Sequence, residues 1–155
     1  MTCIATDGKT MAADGRMCTG DLIVNDETVK IFHARDGSVV GTSGDAAMGE
    51  LVREWFQKGE NPNKIPSLTM PKEDDSPVSA LILWPDGRVE WMNHHFACVP
   101  FARVAAIGSG SEVAIGLMMT GMSPREAVEA VARQVTSVGG RIMELKPRAR
   151  RKANK

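Results

Sequence analysis

The sequence predicts an α+β fold in which antiparallel sheets are covered by helices. Asp-Gly recurs at Asp7-Gly8, Asp36-Gly37 and Asp86-Gly87, each time between short apolar or alternating segments. Asp-Gly suits the two-residue type I′ hairpin turn, whose central residues both need positive φ. These strand pairs are separated by stretches of helical periodicity, the order expected of sheets with helices laid over them. The length, 155 residues, is that of one ordinary domain.

The elements follow from the chain in order. Strands are expected at Cys3–Thr6 and Thr10–Asp14, at Val29–Ala34 and Ser38–Ser43, and at Val78–Trp84 and Arg88–Asn93. From Asp45 to Lys58, Met48, Leu51, Val52, Trp55 and Phe56 fall at three- and four-residue spacing, and Gly59 is a stop signal, so a helix is expected there. Residues 59–77 carry Pro62, Pro66, Pro71 and Pro77 with no periodicity and read as a long surface loop. Val104–Ile107 is a further strand, leading through glycines into an apolar helix over Glu112–Thr120. Ser123-Pro124-Arg125-Glu126 is a capping box with proline at the first helical position, opening a helix that runs through Val135. Arg141–Lys146 supplies a last strand. Residues 1–147 thus form a single domain, followed by a basic, flexible tail at 148–155.

Nineteen basic residues balance nineteen acidic ones, which excludes a uniformly basic nucleic-acid binder or an acidic disordered chain. The balance is uneven. Residues 146–155 hold six basic residues and no acidic one, leaving 13 basic against 19 acidic over residues 1–145, a net of −6. With 43% hydrophobic and 25% charged residues the chain has the composition of a globular protein with a core. Cys3, Cys18 and Cys98 have neither CxxC spacing nor even number, so buried free thiols are expected rather than disulfides or a zinc site. No apolar run reaches the roughly 18–20 residues of a membrane span, and MTCIATDGK has no signal-peptide pattern, so a cytoplasmic protein is expected, with no membrane partner. No metal or other cofactor is expected.

Several residues have the makings of a catalytic site. Thr2 follows a Met1 that an aminopeptidase would remove, since the threonine side chain is small. A free N-terminal threonine joins a hydroxyl nucleophile to an amine whose pKa, about 7.7–8.0, suits a general base. Asp14 ends the second strand of the first hairpin, and Lys30 stands among Val29, Ile31 and Phe32, where a lysine normally needs an acidic partner. A solvated lysine and a turn aspartate would give the same pattern. Gly44, between strand and helix in Gly41-Thr42-Ser43-Gly44, can offer its amide to an oxyanion. Gly108-Ser109-Gly110-Ser111 lies at a similar junction and lacks the lysine of a phosphate-binding loop. His33 and His94-His95 have no carboxylate or cysteine at ligand spacing.

Taken in order, these features resemble the proteasome β-type subunits of the N-terminal-nucleophile hydrolase superfamily, and in particular HslV-like peptidases and their short bacterial or phage homologues. Thr2-Cys3-Ile4-Ala5 is similar to the mature threonine start, and Ala12-Ala13-Asp14-Gly15-Arg16 to the Ala-x-Asp-[Ser/Gly]-Arg/Gln motif. Val29-Lys30-Ile31, Ser43-Gly44-Asp45-Ala46-Ala47 and Ala106-Ile107-Gly108-Ser109-Gly110-Ser111 resemble the family's lysine strand, glycine turn and Ile-Gly-Ser-Gly segment. The resemblance spans about residues 2–140. It implies a four-layer αββα sandwich and a threonine peptidase acting on polypeptides. Thr2 would be the nucleophile and its amine the base. Lys30 would lower the site's pKa, Asp14 would orient Lys30, Gly44 would donate to the oxyanion and Ser109 would join the network at the amine. It also implies a homo-oligomeric ring and, in the HslV branch, a AAA+ unfoldase as partner.

Two departures keep another reading open. The first hairpin is shorter than in typical members, and Val135-Thr136-Ser137-Val138-Gly139-Gly140 keeps the two glycines of an Asp-x-x-Ser-Gly-Gly segment while losing its Asp and Ser. A catalytically silent homologue with a structural or assembly role is the alternative. A nucleic-acid-binding accessory would rest on the tail alone, which has no interleaved aromatics.

Overall fold

In a computed structural model, which describes residues 1–59, 65–66 and 77–149, each of the three Asp-Gly pairs at 7–8, 36–37 and 86–87 joins two antiparallel strands. None does so by a two-residue turn. The first hairpin joins β1 (Ile4–Thr6) to β2 (Met11–Ala13) with Thr6 opposite Met11, so residues 7–10 form the loop. In the second, β5 (Ile31–His33) meets β6 (Val39–Ser43), and Ala34 N–H donates to Ser38 O at 2.9 Å, leaving residues 35–37. The third, between β7 (Ser79–Leu83) and β8 (Val89–Met92), repeats this with Trp84 N–H and Arg88 O at 2.9 Å.

The reason is visible in the turn chemistry. Positive φ falls on Gly8, Gly37 and Gly87, and on none of the aspartates. Each aspartate instead accepts backbone N–H bonds from further along its loop: Asp36 from Ser38 at 2.9 Å, Asp86 from Arg88 at 3.0 Å, and Asp7 from both Lys9 and Thr10 at 2.9 Å. A side-chain acceptor followed by a left-handed glycine specifies the longer loop.

The helices begin and end where their caps dictate. In α1 (Ala46–Lys58) the Asp45 carboxylate accepts Met48 N–H at 2.9 Å, and left-handed Gly59 closes the last turn. α2 spans Ser111–Met119. α3 (Pro124–Ala132) opens on the full Ser123/Glu126 capping box but stops three residues short of Val135. There the chain turns back so that Gly139 O can accept Gly15 N–H at 2.9 Å. A hairpin of β3 (Met17–Thr19) and β4 (Leu22–Asn25), together with β9 (Cys98–Phe101), are strands the sequence pattern did not indicate. β4 and β9 are exposed throughout, so no alternation of buried and exposed residues marks them. β10 (Ala105–Ile107) and β11 (Met143–Leu145) lie at the expected places.

The strands make one sheet in the order β10-β1-β2-β11 and another in the order β5-β6-β7-β8-β9, with all pairings antiparallel. This is an α+β architecture. Side chains alternate across each strand, so each sheet buries both faces. Cys3, Ala5, Ala12 and Ala106 pack against Ala114 of α2 and Val128 and Val131 of α3. Ile4, Met11 and Ala13 meet Ile31, Val39 and Leu81 of the other sheet. Val40, Ala80 and Ile82 on the far face of that sheet pack on Val52 and Phe56 of α1.

Most of the loop expected over 59–77 lies outside the described residues, as does the chain from residue 150. Arg148 N–H donates to Gly37 O at 2.8 Å, so the segment after β11 runs back beside the second hairpin turn. The expectation of buried free thiols holds for Cys3 alone, since Cys98 is exposed and Cys18 half-buried. No helix among the described residues is long and apolar enough to cross a membrane.

Two residues of α1 separate core from surface. Phe56 is 1% exposed and Leu51 42%. Replacing Phe56 with Ala should cost about 3–5 kcal/mol of unfolding free energy, whereas Leu51→Ala should stay within about 0.5 kcal/mol of the parent, as read from urea denaturation midpoints.

Candidate active site

Asp14 stands where β2 ends, and its carboxylate continues the ladder that the backbone leaves. Its N–H donates to Cys3 O at 3.2 Å, while its Oδ1 accepts Cys3 N–H at 2.9 Å. The side chain is wholly buried. Oδ1 also receives Lys30 Nζ at 2.9 Å, and Oδ2 accepts the N–H groups of Gly139 at 3.1 Å and Arg16 at 3.2 Å. Four donors on two oxygens satisfy a carboxylate that would otherwise be costly to bury.

Lys30, immediately before β5, is 7% exposed at its side chain. Its ammonium donates to Asp14, to Arg16 O at 2.6 Å and to Met1 O at 3.2 Å. Burial pulls its pKa below the ordinary lysine value, and Asp14 opposes that shift. Three acceptors use all three of its donors, so the ammonium has one fixed position beside the Met1–Thr2 peptide.

Thr2 is nearly buried. Its nitrogen lies 3.3 Å from Ser109 Oγ as donor, and its carbonyl accepts Gly110 N–H at 3.2 Å and Ser109 Oγ–H at 3.4 Å. Such an approach requires glycine at 108. Gly108 has φ +93°, and a Cβ there would overlap Thr2 O. Neighbouring Cys3 is not a rival nucleophile. Burial first, and Asp14 second, push its thiol pKa up to about 12, which keeps it a neutral thiol at physiological pH.

The loop after α3 closes the other side. Arg16 holds Asp26 with two bonds, Nε–Oδ1 at 2.8 Å and a second guanidinium nitrogen to Oδ2 at 3.3 Å, and also donates to Thr136 O at 3.0 Å. Gly140 lies so close to Asp26 O that a Cβ would overlap it, and its φ is +70°. Asp26 and the Gly139 amide are members of this network that the sequence patterns did not single out, and Arg16, quoted there only as the end of the Asp14 motif, is a third. The Gly139-Gly140 pair was their visible signal.

A cleft of about 280 Å³ opens at Thr2 and Lys30 and is bounded on its far side by Thr42–Ala46. Gly44, with φ +111°, is part of that wall, since Pro77 O occupies the space a Cβ would need. The five residues singled out from the sequence therefore gather around the two peptide units that flank Thr2: Lys30 donates to Met1 O of the first, Asp14 accepts Cys3 N–H of the second, Ser109 bonds both, and Gly44 stands across the cleft. His33 instead meets Lys146 O at 2.8 Å, and His94 and His95 lie on the turn after β8.

No family model matches the chain. Among solved structures it is similar to Thiobacillus denitrificans BPH, with a TM-score of 0.69 at 21% identity over 94% of this chain and 96% of that one. The same protein in complex with epoxomicin gives 0.69 at 20%, covering 94% and 97%. Eukaryotic HslV from Trypanosoma brucei gives 0.67 at 16%, covering 94% and 99%. At these identities the likeness is one of fold, and it extends over nearly the full length of both partners.

Proposed function

We propose that the chain is an N-terminal threonine peptidase of the proteasome β/HslV kind, built as a four-layer αββα sandwich and assembled as a homo-oligomeric ring. Removal of Met1 would free Thr2. The observation that carries this reading is the saturated Asp14–Lys30 pair set against the Met1–Thr2 peptide, a cation held in place where the α-amine would appear.

In that form the Thr2 amine takes the proton of Thr2 Oγ1 as the oxygen attacks the scissile carbonyl carbon. The carbonyl oxygen gains the negative charge and faces the Gly44 amide. Collapse breaks the C–N bond, and the leaving amine takes the proton from the Thr2 ammonium. An ester on Thr2 Oγ1 remains. Water, deprotonated by the same amine, then adds to the ester carbonyl, releases the carboxylic acid and returns the proton to Oγ1. Lys30 lowers the pKa of the amine through its charge, Asp14 holds Lys30 in place, and Ser109 Oγ orients the amine by accepting a hydrogen bond from it, as it does from Thr2 N at 3.3 Å. In this reading a AAA+ unfoldase is the partner that delivers polypeptide to the site. A cytoplasmic location fits this reading.

The mature chain should hydrolyse a fluorogenic peptide and form a mass adduct with epoxomicin, the compound bound by the Thiobacillus protein. Thr2→Ala should lose both, and turnover undiminished in that variant would remove Thr2 from the mechanism. A preparation that retains Met1 by mass spectrometry should be silent.

The acid limb of kcat/KM should lie below the ordinary amine pKa of about 7.7, because activity needs the neutral amine and a neighbouring cation favours it. A pH–rate profile with its acid limb above that value would remove the role given to Lys30.

Asp14→Asn should abolish hydrolysis and cost about 3–5 kcal/mol in denaturant unfolding, since it leaves a buried ammonium without its counter-charge.

A further inference from the structure

The three hairpin turns, at residues 7–10, 35–37 and 85–87, lie at the end of the sheets away from Thr2. β10 begins at that end, with Ala105 opposite Thr6, and β11 finishes there, with Leu145 opposite Met11. Close contacts draw these pieces together. The Arg103 guanidinium stands against both Gly8 and Gly87, and Arg148 O occupies the space that a Cβ on Gly37 would need. Lys9, Arg35, Arg88, Arg103, Lys146 and Arg148 are all exposed here. Their acidic neighbours are Asp7, Asp36, Asp86, Glu90 and Glu144, so six basic residues meet five acidic ones. The chain continues from this place with Arg150, Arg151, Lys152 and Lys155 and no acid, which makes the balance ten to five, a net of +5. Residues 1–145 as a whole carry −6, so charge is segregated to one end of the molecule. Most of the acids there are engaged. Asp7 and Asp36 accept N–H bonds from their own loops, and Asp86 and Glu90 share Arg88. Lys9, Arg35, Arg103, Lys146 and Arg148 form no ion pair among the described residues. Cations held together without counter-charges repel one another, and an anion laid between them removes that cost.

We infer that this end binds the phosphate backbone of a nucleic-acid duplex without sequence preference, with Arg35, Arg103 and the segment from Lys146 onward as its contacts. The composition of residues 146–155 selects among anionic partners. They hold no aromatic and no large aliphatic side chain. A protein partner would find none of the apolar anchors that carry most interface energy, and a bilayer would receive no apolar side chain to bury. Unpaired bases would find no ring in this segment on which to stack. What the segment offers is charge, half of it on arginines, whose planar guanidinium groups pair with two phosphate oxygens at once. A duplex presents one phosphate per about 1.7 Å of its axis, and binding is driven by release of its counterions. The Thr2 cleft lies at the other end of the strands and stays clear. The inference therefore does not depend on the peptidase reading.

The test uses the full chain and a fluorescent DNA duplex of about 20 base pairs, titrated by anisotropy between about 50 and 200 mM salt. Each phosphate neutralised contributes about −0.9 to the slope of log K against log salt. The parent should give a slope steeper than about −4, a loss of about 200-fold or more over that range, and equal affinity for duplexes of unrelated sequence. Truncation after Arg148 removes four cations and should flatten the slope by about 3 to 4. Arg35→Gln combined with Arg103→Gln should flatten it by about 2 in a chain whose urea midpoint is unchanged. Arg133→Gln, beyond α3 and toward the Thr2 end, should leave the slope as it was. A parent slope shallower than about −4 overturns the inference. So does an unchanged slope in the Arg35/Arg103 double variant, because the tail would then act without the folded end. Tighter binding to a single-stranded RNA of equal length, to phosphatidylserine vesicles or to polyglutamate than to the duplex also overturns it. Each result reads the same whether or not any peptide is cleaved.

Discussion

The carboxylate of Asp14 is the point on which the site is hung. A wholly buried charge is tolerable only when its lone pairs are filled, and here each filling group comes from a different part of the chain. Cys3 N–H belongs to the residue before β1, Arg16 N–H to the turn after β2, Lys30 Nζ to the entry of β5, and Gly139 N–H to the loop after α3. Segments up to 125 residues apart are therefore fixed to one side chain. Removing a surface ion pair such as Lys58–Glu54 would loosen nothing beyond its own helix turn, because both partners are exposed and share one element. Removing Asp14 would leave three amides without their acceptor and a nearly buried ammonium without its counter-charge. That difference follows from burial, since the bond lengths in the two pairs are similar.

Local signals made much of the fold legible. Asp45 and Gly59 bracket α1, and Ser123-Pro124-Arg125-Glu126 opens α3, because caps act within one helical turn. The Asp-Gly pairs located three hairpins correctly, but the turn type was misjudged: the aspartate acts through its carboxylate while only the glycine takes positive φ. β4 and β9 stayed hidden because a strand with no buried face has no alternation to display. In the site, Thr2, Asp14 and Lys30 could be picked out as residue types with special chemistry. Gly139 could not be placed beside Asp14, because what it contributes there is a backbone N–H, and any residue has one.

The same point bears on the altered segment at 135–140. Judged by side chains, Val135 to Gly140 has lost an acid and a hydroxyl relative to the pattern it resembles. Judged by contacts, the segment gives the site backbone groups: Gly139 N–H to Asp14, Gly139 O to Gly15 N–H, and Thr136 O to Arg16. The two retained glycines are the residues this packing needs, since Gly140 sits against Asp26 O at a φ of +70° and Gly139 against the Arg16 guanidinium. A segment that works through its main chain can change its side chains and keep its place.

The position of Thr2 itself is a matter of strand register. Successive side chains on a strand point to opposite faces, so Cys3 and Ala5 face α2 and α3 while Ile4 faces the other sheet, and Thr2 shares the parity of Ile4. That parity puts Thr2 at the mouth of the space between the sheets, where the cleft opens, and puts the more reactive atom type, the sulfur of Cys3, in an apolar layer that keeps it protonated. A slip of one residue would exchange the two. What prevents the slip is the pair of bonds between Cys3 and Asp14, N–H to Oδ1 and O to N–H, at the last rung of the first hairpin. The carboxylate that anchors Lys30 thus also decides which of two adjacent nucleophilic side chains meets the cleft, so the register of the hairpin and the chemistry of the site depend on one residue.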